Sequence, residues 1–77
     1  MYVKGDFMFS KRIRQLRGEK HLTQAAVAAN IGLSARGYQD LELGAVPRGD
    51  TLLAIAEFFD VSMDWLMGRT DKREVNR

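Results

Sequence analysis

Apolar residues along this chain recur every three or four positions rather than every second one, in five short stretches divided by turn residues. That pattern predicts an all-α domain of five helices and no strands. The first helix is expected from about Phe7 to Lys20, with Phe9, Ile13 and Leu16 turned inward at i, i+4 and i+7. Lys11, Arg12, Arg14 and Gln15 are expected mostly outward. It should end near His21, because His is among the non-glycine residues that tolerate the left-handed conformation of a helix end. From Leu22 to Gly44 the chain reads LTQAAVAANIGLSARGYQDLELG, two short helices each with its own start signal. Thr23 supplies a capping hydroxyl between Leu22 and Val27, the spacing of a hydrophobic staple, and Ser34 repeats the arrangement between Leu33 and Tyr38. Gly32 ends the first of the two in a left-handed turn.

Two helices joined by so tight a turn form the grammar of a helix-turn-helix. At 100° per residue Tyr38, Leu41 and Ala45 share one arc of the second helix, and Ala35, Arg36, Gln39, Asp40 and Leu43 fall on the other. In such a motif the N-terminal residues of the second helix reach base edges in the major groove, so Arg36 and Gln39 are candidate readers of guanine and adenine. Ser34 at the cap is placed for a phosphate or base contact, with Ala35 beside it. Ala28 permits a close helix crossing because its side chain is one methyl. Asp40 either accepts a hydrogen bond from cytosine or pairs with Arg36 one turn earlier. Gly37 weakens its helix by about 1 kcal/mol relative to Ala; either a close backbone approach to DNA explains it or the helix is simply weakened. The same grammar also occurs in helical bundles that bind nothing, so the arcs alone leave the function open.

The stretch Gly44-Ala45-Val46-Pro47-Arg48-Gly49 reads as a loop into a fourth helix, about Asp50 to Phe59, with Asp50 a candidate cap and Leu52, Ile55, Ala56 and Phe59 as its apolar stripe. Val61, Ser62 and Leu66 repeat the staple for a fifth helix ending at Gly68. Trp65, Leu66 and Met67 exceed what one short terminal helix needs to bury. Either a contact between two copies or internal packing of Trp65 accounts for them. Residues 1–8 are expected to form an N-terminal arm and the start of the first helix, 9–68 the domain, and 69–77 a frayed polar tail.

Composition narrows the function classes. A 77-residue chain holds one small domain, and no second domain, such as a self-cleaving or dimerisation unit, is expected within it. With no Cys and a single His, neither a disulfide nor a metal or cofactor site is expected, and His21 reads as a turn residue. No apolar run approaches a membrane span, and a cytoplasmic location is expected. No nucleophile with a base, phosphate-cradling loop or ligand cluster points to an enzyme. Charge is uneven. Residues 1–20 carry six cations against two acids, residues 69–77 four against two, and residues 21–68 only Arg36 and Arg48 against six acids. Attraction to phosphates therefore rests on a few placed cations and on helix N-termini, and only modest non-specific affinity is expected.

From Phe9 to Thr70 the chain resembles the phage Cro/cI repressor type of helix-turn-helix domain, the XRE family. The likeness is carried by Phe9, Ile13, Leu16 and Arg17, by Leu22-Thr23-Gln24 and Ala28, by Ile31-Gly32, Ser34, Leu41-Glu42 and Gly44, and by Pro47, Leu52, Ala56, Val61-Ser62 and Asp64-Trp65-Leu66. The resemblance implies a compact five-helix, lambda-repressor-like fold and a sequence-specific, double-stranded DNA-binding transcriptional regulator, a repressor acting as a homodimer on an inverted repeat. It implies that Gln24 lies against the DNA backbone, that Arg48 touches a phosphate, that Arg17 and Glu42 form a partly buried ion pair, and that Trp65, Leu66 and Met67 lie where two protomers meet. The chain departs from the family at His21 and Asp60, where Gly is usual, and at Arg48, where a small cap is usual. The acidic middle keeps a second class open, a helix-turn-helix that has become a protein-interaction module, antirepressor-like or antitoxin-like.

Overall fold

The helices of the computed structural model, which describes residues 4–75, run α1 Lys4–Glu19, α2 Gln24–Ile31, α3 Ala35–Glu42, α4 Gly49–Phe59 and α5 Met63–Leu66, and no strand occurs among the described residues. The first helix begins three residues before the apolar pattern does. An amphipathic period locates the buried part of a helix and is blind to a polar first turn, so residues 4–6, ahead of the expected start at Phe7, belong to α1. Residues 1–3 of the expected N-terminal arm lie outside the described residues.

All five helices end the same way. At each end a residue with positive φ is followed by one whose N–H reaches back to the carbonyl five positions earlier, the Schellman arrangement that satisfies the last carbonyls. The residues are His21 (φ 55°), Gly32 (76°), Gly44 (114°), Asp60 (55°) and Gly68 (79°), and the returning bonds are Leu22 to Arg17, Leu33 to Ala28, Ala45 to Asp40, Val61 to Ala56 and Arg69 to Asp64, at 2.8 to 3.1 Å. In three of them the returning residue is the hydrophobe that precedes a hydroxyl cap. Thr23, Ser34 and Ser62 accept from the N–H groups of Ala26, Gly37 and Trp65 at 3.0, 3.0 and 3.2 Å. One three-residue device, left-handed residue, hydrophobe, cap, thus closes one helix and opens the next.

The core gathers Phe9, Ile13 and Leu16 of α1, Val27, Ala28 and Ile31 of α2, Tyr38 and Leu41 of α3, and Ile55, Ala56 and Phe59 of α4, closed by Val61, Trp65 and Leu66. Each fully buried Ile, Leu or Phe contributes about 1.5–3 kcal/mol. Ala45, assigned by periodicity to the inner arc of the third helix, is exposed, because α3 stops at Glu42. The fourth helix starts at Gly49, with Arg48 at the cap position and no side-chain cap bond. Asp50 is therefore not the cap. Its Oδ1 accepts instead from the adjacent Thr51 N–H at 2.8 Å.

Among the described residues the segment after α5 lies back against the domain. The Ser62 N–H donates to the Arg73 carbonyl at 2.8 Å, and Arg73 forms a two-pronged pair with Glu19, at 2.7 and 3.1 Å. Arg12, expected outward, turns in: it donates to the carbonyls of Trp65 and of Thr70, the latter at 3.1 Å. Its guanidinium lies 4.6 Å from the Trp65 ring centroid and that of Arg73 lies 5.1 Å away, so two cations lie over the indole.

Candidate nucleic-acid interface

The α2 and α3 helices pack on each other, with Ala28 of α2 buried, and α3 buries only Tyr38, Leu41 and Glu42. Its other face is open. Ala35, Arg36 and Gln39 are exposed and Asp40 is half-buried. The Arg36 side chain is 83% exposed, and its Nε lies 3.4 Å from Asp40 Oδ1, so of the two readings of Asp40 the pairing with Arg36 is the one formed in the free chain. Ser34 is exposed, with its hydroxyl engaged as the cap. A Cβ built on Gly37 would sit 3.2 Å from that same Ser34 oxygen, so the glycine leaves room for the cap, a reason beyond both sequence-based readings. Arg48 is exposed at the entry to α4 and lies 3.7 Å from Asp50.

Behind this face lies a polar joint on which three helices converge. Glu42 is only 7% exposed, yet its carboxylate accepts four hydrogen bonds. Arg17 of α1 donates through Nε at 2.6 Å to one oxygen and through Nη2 at 3.1 Å to the other; the Tyr38 hydroxyl donates at 2.5 Å and Gln24 Nε2 at 3.0 Å. Arg17 also donates to the Leu22 carbonyl at 3.2 Å, tying in the turn before α2. Burial alone would push the Glu42 carboxyl up, but donation from Arg17, Tyr38 and Gln24 outweighs it and holds the group below the usual range. The Arg17 guanidinium is pushed up by its bond to Glu42, and the Tyr38 hydroxyl is pushed up by burial and then by Glu42.

The Arg17 and Glu42 pair expected from the family pattern is formed. Gln24 turns toward Glu42, a partner the sequence reading missed, and the Tyr38 hydroxyl was missed as well. The signal for the second was present: Tyr38 and Glu42 are i and i+4, and a buried Tyr needs a partner for its hydroxyl.

The profile of the family described as Helix-turn-helix matches residues 13–66. The chain belongs to the XRE helix-turn-helix family. It is 37% identical over 65 residues to a Bacillus subtilis (strain 168) protein called "Uncharacterized HTH-type transcriptional regulator YobD", covering 83% of this chain and 58% of that protein. A second protein of the same organism, "Uncharacterized HTH-type transcriptional regulator YqaE", is 38% identical over 61 residues, or 78% of this chain and 53% of its own length. The chain thus spans just over half the length of these relatives. No solved structure matches it.

For this helix-turn-helix chain the apolar end of α5 packs internally. Leu66 is fully buried and Trp65 is 5% exposed, because the indole lies under Arg12 and Arg73 and the tail covers it. Of the three residues singled out as a contact between copies, only Met67 is half-open. Among the described helices none is long and apolar enough to cross a membrane.

Proposed function

We propose that this chain is a sequence-specific, double-stranded DNA-binding transcriptional regulator, a cytoplasmic repressor of the phage-repressor type that acts as a dimer on an inverted repeat. The observation that carries the reading is the open polar face of α3, with Arg36 and Gln39 exposed on a helix anchored from behind by the Glu42 joint. Arg36 reads guanine and Gln39 adenine. Ser34 and Ala35 flank the first turn, Asp40 holds Arg36, and Gln24 and Arg48 take phosphates. The relatives' names, both HTH-type transcriptional regulators, support the same class. Since Trp65 and Leu66 are buried, the dimer draws on the apolar side chains still open beside α5, Leu53, Met63 and Val75, which border one cleft of about 430 Å³.

Selection of bound sequences from a random duplex library tests this reading. Enrichment of an inverted repeat with half-sites about 34–36 Å apart is expected, and Arg36→Ala should weaken the best site by about 1–3 kcal/mol. A lone half-site bound by a sedimenting monomer overturns the dimer, and no enrichment overturns the regulator.

A second reading, a protein-interaction module, is favoured by one feature. Leu43 and Val46, beside the reading face, are 78% and 62% exposed, in a stretch with no cation before Arg48. Retention on heparin to moderate salt supports DNA; flow-through at low salt supports the protein partner.

A further inference from the structure

We infer that Glu42 is a positioning residue for the phosphate contact of Gln24, fixing the carboxamide so that one N–H is held by the protein and the other is left for DNA. The inference rests on the DNA-binding reading above. Gln24 is the first residue of α2 and Glu42 the last of α3, and their side chains meet at 3.0 Å. An ionised carboxylate only accepts hydrogen bonds, so the amide must present its nitrogen to Glu42 and its carbonyl oxygen elsewhere.

Each Glu42 oxygen already accepts twice. One takes the Arg17 Nε and the Tyr38 hydroxyl, and the other takes the Arg17 Nη2 and Gln24. Four bonds saturate a carboxylate. The second N–H of Gln24 therefore finds no further room on Glu42, and the Gln24 side chain makes no other hydrogen bond among the described residues.

A DNA phosphate is, like Glu42, an anion that only accepts. A neutral primary amide bridges two such anions with its two N–H groups and adds no charge of its own. A Glu at position 24 would repel both. In this arrangement Arg17 and Tyr38 hold Glu42, Glu42 holds Gln24, and the half-buried amide is aimed before DNA arrives, which lowers the ordering cost of the contact.

A double-mutant cycle on duplex affinity tests the inference. Gln24→Ala should weaken binding about tenfold, equally for preferred and scrambled duplexes, because a phosphate contact carries no sequence information. Glu42→Gln, whose own amide lets Gln24 turn over, should give a similar loss at a temperature where the variant is folded, and the double variant should lose no more than either single one. Losses that multiply overturn the inference while leaving DNA binding intact. Should Glu42→Gln fail to fold, the side-chain amide protons of Gln24 in the parent protein decide by NMR. Added duplex should shift one of the two protons strongly and leave the one bonded to Glu42 nearly still; equal shifts of both, or of neither, overturn it. If the parent protein binds no duplex at all, the DNA reading falls together with this inference.

Discussion

Two arginine and glutamate pairs of almost identical geometry engage the last turn of α1. Arg17 meets Glu42 at 2.6 and 3.1 Å, and Arg73 meets Glu19 at 2.7 and 3.1 Å. Their surroundings differ. The Glu42 side chain is 4% exposed and that of Glu19 is 42%. At Glu42 every lone pair is used and loss of the carboxylate strands three donors from three helices; at Glu19 water stands ready to replace Arg73. Equal distances therefore carry unequal consequences, because the cost of an unmet buried group, rather than the attraction of the pair, sets the effect of breaking it. The inner pair fixes the α2 and α3 helices to α1, whereas the outer pair fastens the tail across Trp65.

The largest separation should appear with Glu42→Ala. Leaving Arg17, Tyr38 and Gln24 without their acceptor is expected to lower stability by about 3 kcal/mol, seen by circular dichroism as a fall in Tm of roughly 10–20 °C. Melting at the parent temperature would make the two pairs equivalent and break the comparison. Tyr38→Phe sharpens it, because it removes one donor and keeps the packing. A loss of about 1 kcal/mol is expected, and no loss would mean that Arg17 and Gln24 satisfy Glu42 unaided.

Arg73→Ala should destabilise far less than Glu42→Ala, and most of its effect should fade at about 1 M salt, where screening acts within about 3 Å. Acid distinguishes this pair further. The Arg73 guanidinium, with a smaller part from Gln15, holds the Glu19 carboxyl down at about 2 from an ordinary 4.5. A depressed carboxylate contributes stability above its unfolded value and loses it as pH falls through the folded one. The Tm difference between parent and Arg73→Ala should therefore stay constant above about pH 5 and close toward pH 2; a gap that persists there would show that stacking on Trp65, not the ion pair, fastens the tail. The smallest effect belongs to Gln39→Ala on the open face of α3, which should leave Tm unchanged while altering which duplexes are selected.

Most of the architecture was legible because its signals are local. The caps Thr23, Ser34 and Ser62, the left-handed His21 and Gly32, the stop at Gly68, and the apolar repeat of Phe9, Ile13 and Leu16 act across at most seven residues, and each sits where local chemistry requires. The open face of α3 was readable for the same reason, since a period of 3.6 residues separates a helix's two sides whatever it packs against.

Partners distant in the chain were legible only where the family pattern supplied them, as with Arg17 and Glu42. Arg12 on the charged side of α1 turned inward to carbonyls 53 and 58 positions away, and Gln24 found Glu42 18 positions on. Trp65 became internal once the tail crossed it. A long flexible cation or amide has no preferred direction in an isolated helix; its partner is chosen by which carbonyls and carboxylates the helix crossings leave unsatisfied nearby. Sequence settled where α2, α3 and α5 start and which apolar stripe each long helix buries, since those are short-range questions of dihedral freedom and periodicity, but not the polar first turn of α1 or the end of α3. Only the packed arrangement settled which polar side chains stay open to solvent and which hold the domain together, because burying a charge is tolerated solely where its partners have already been brought within reach.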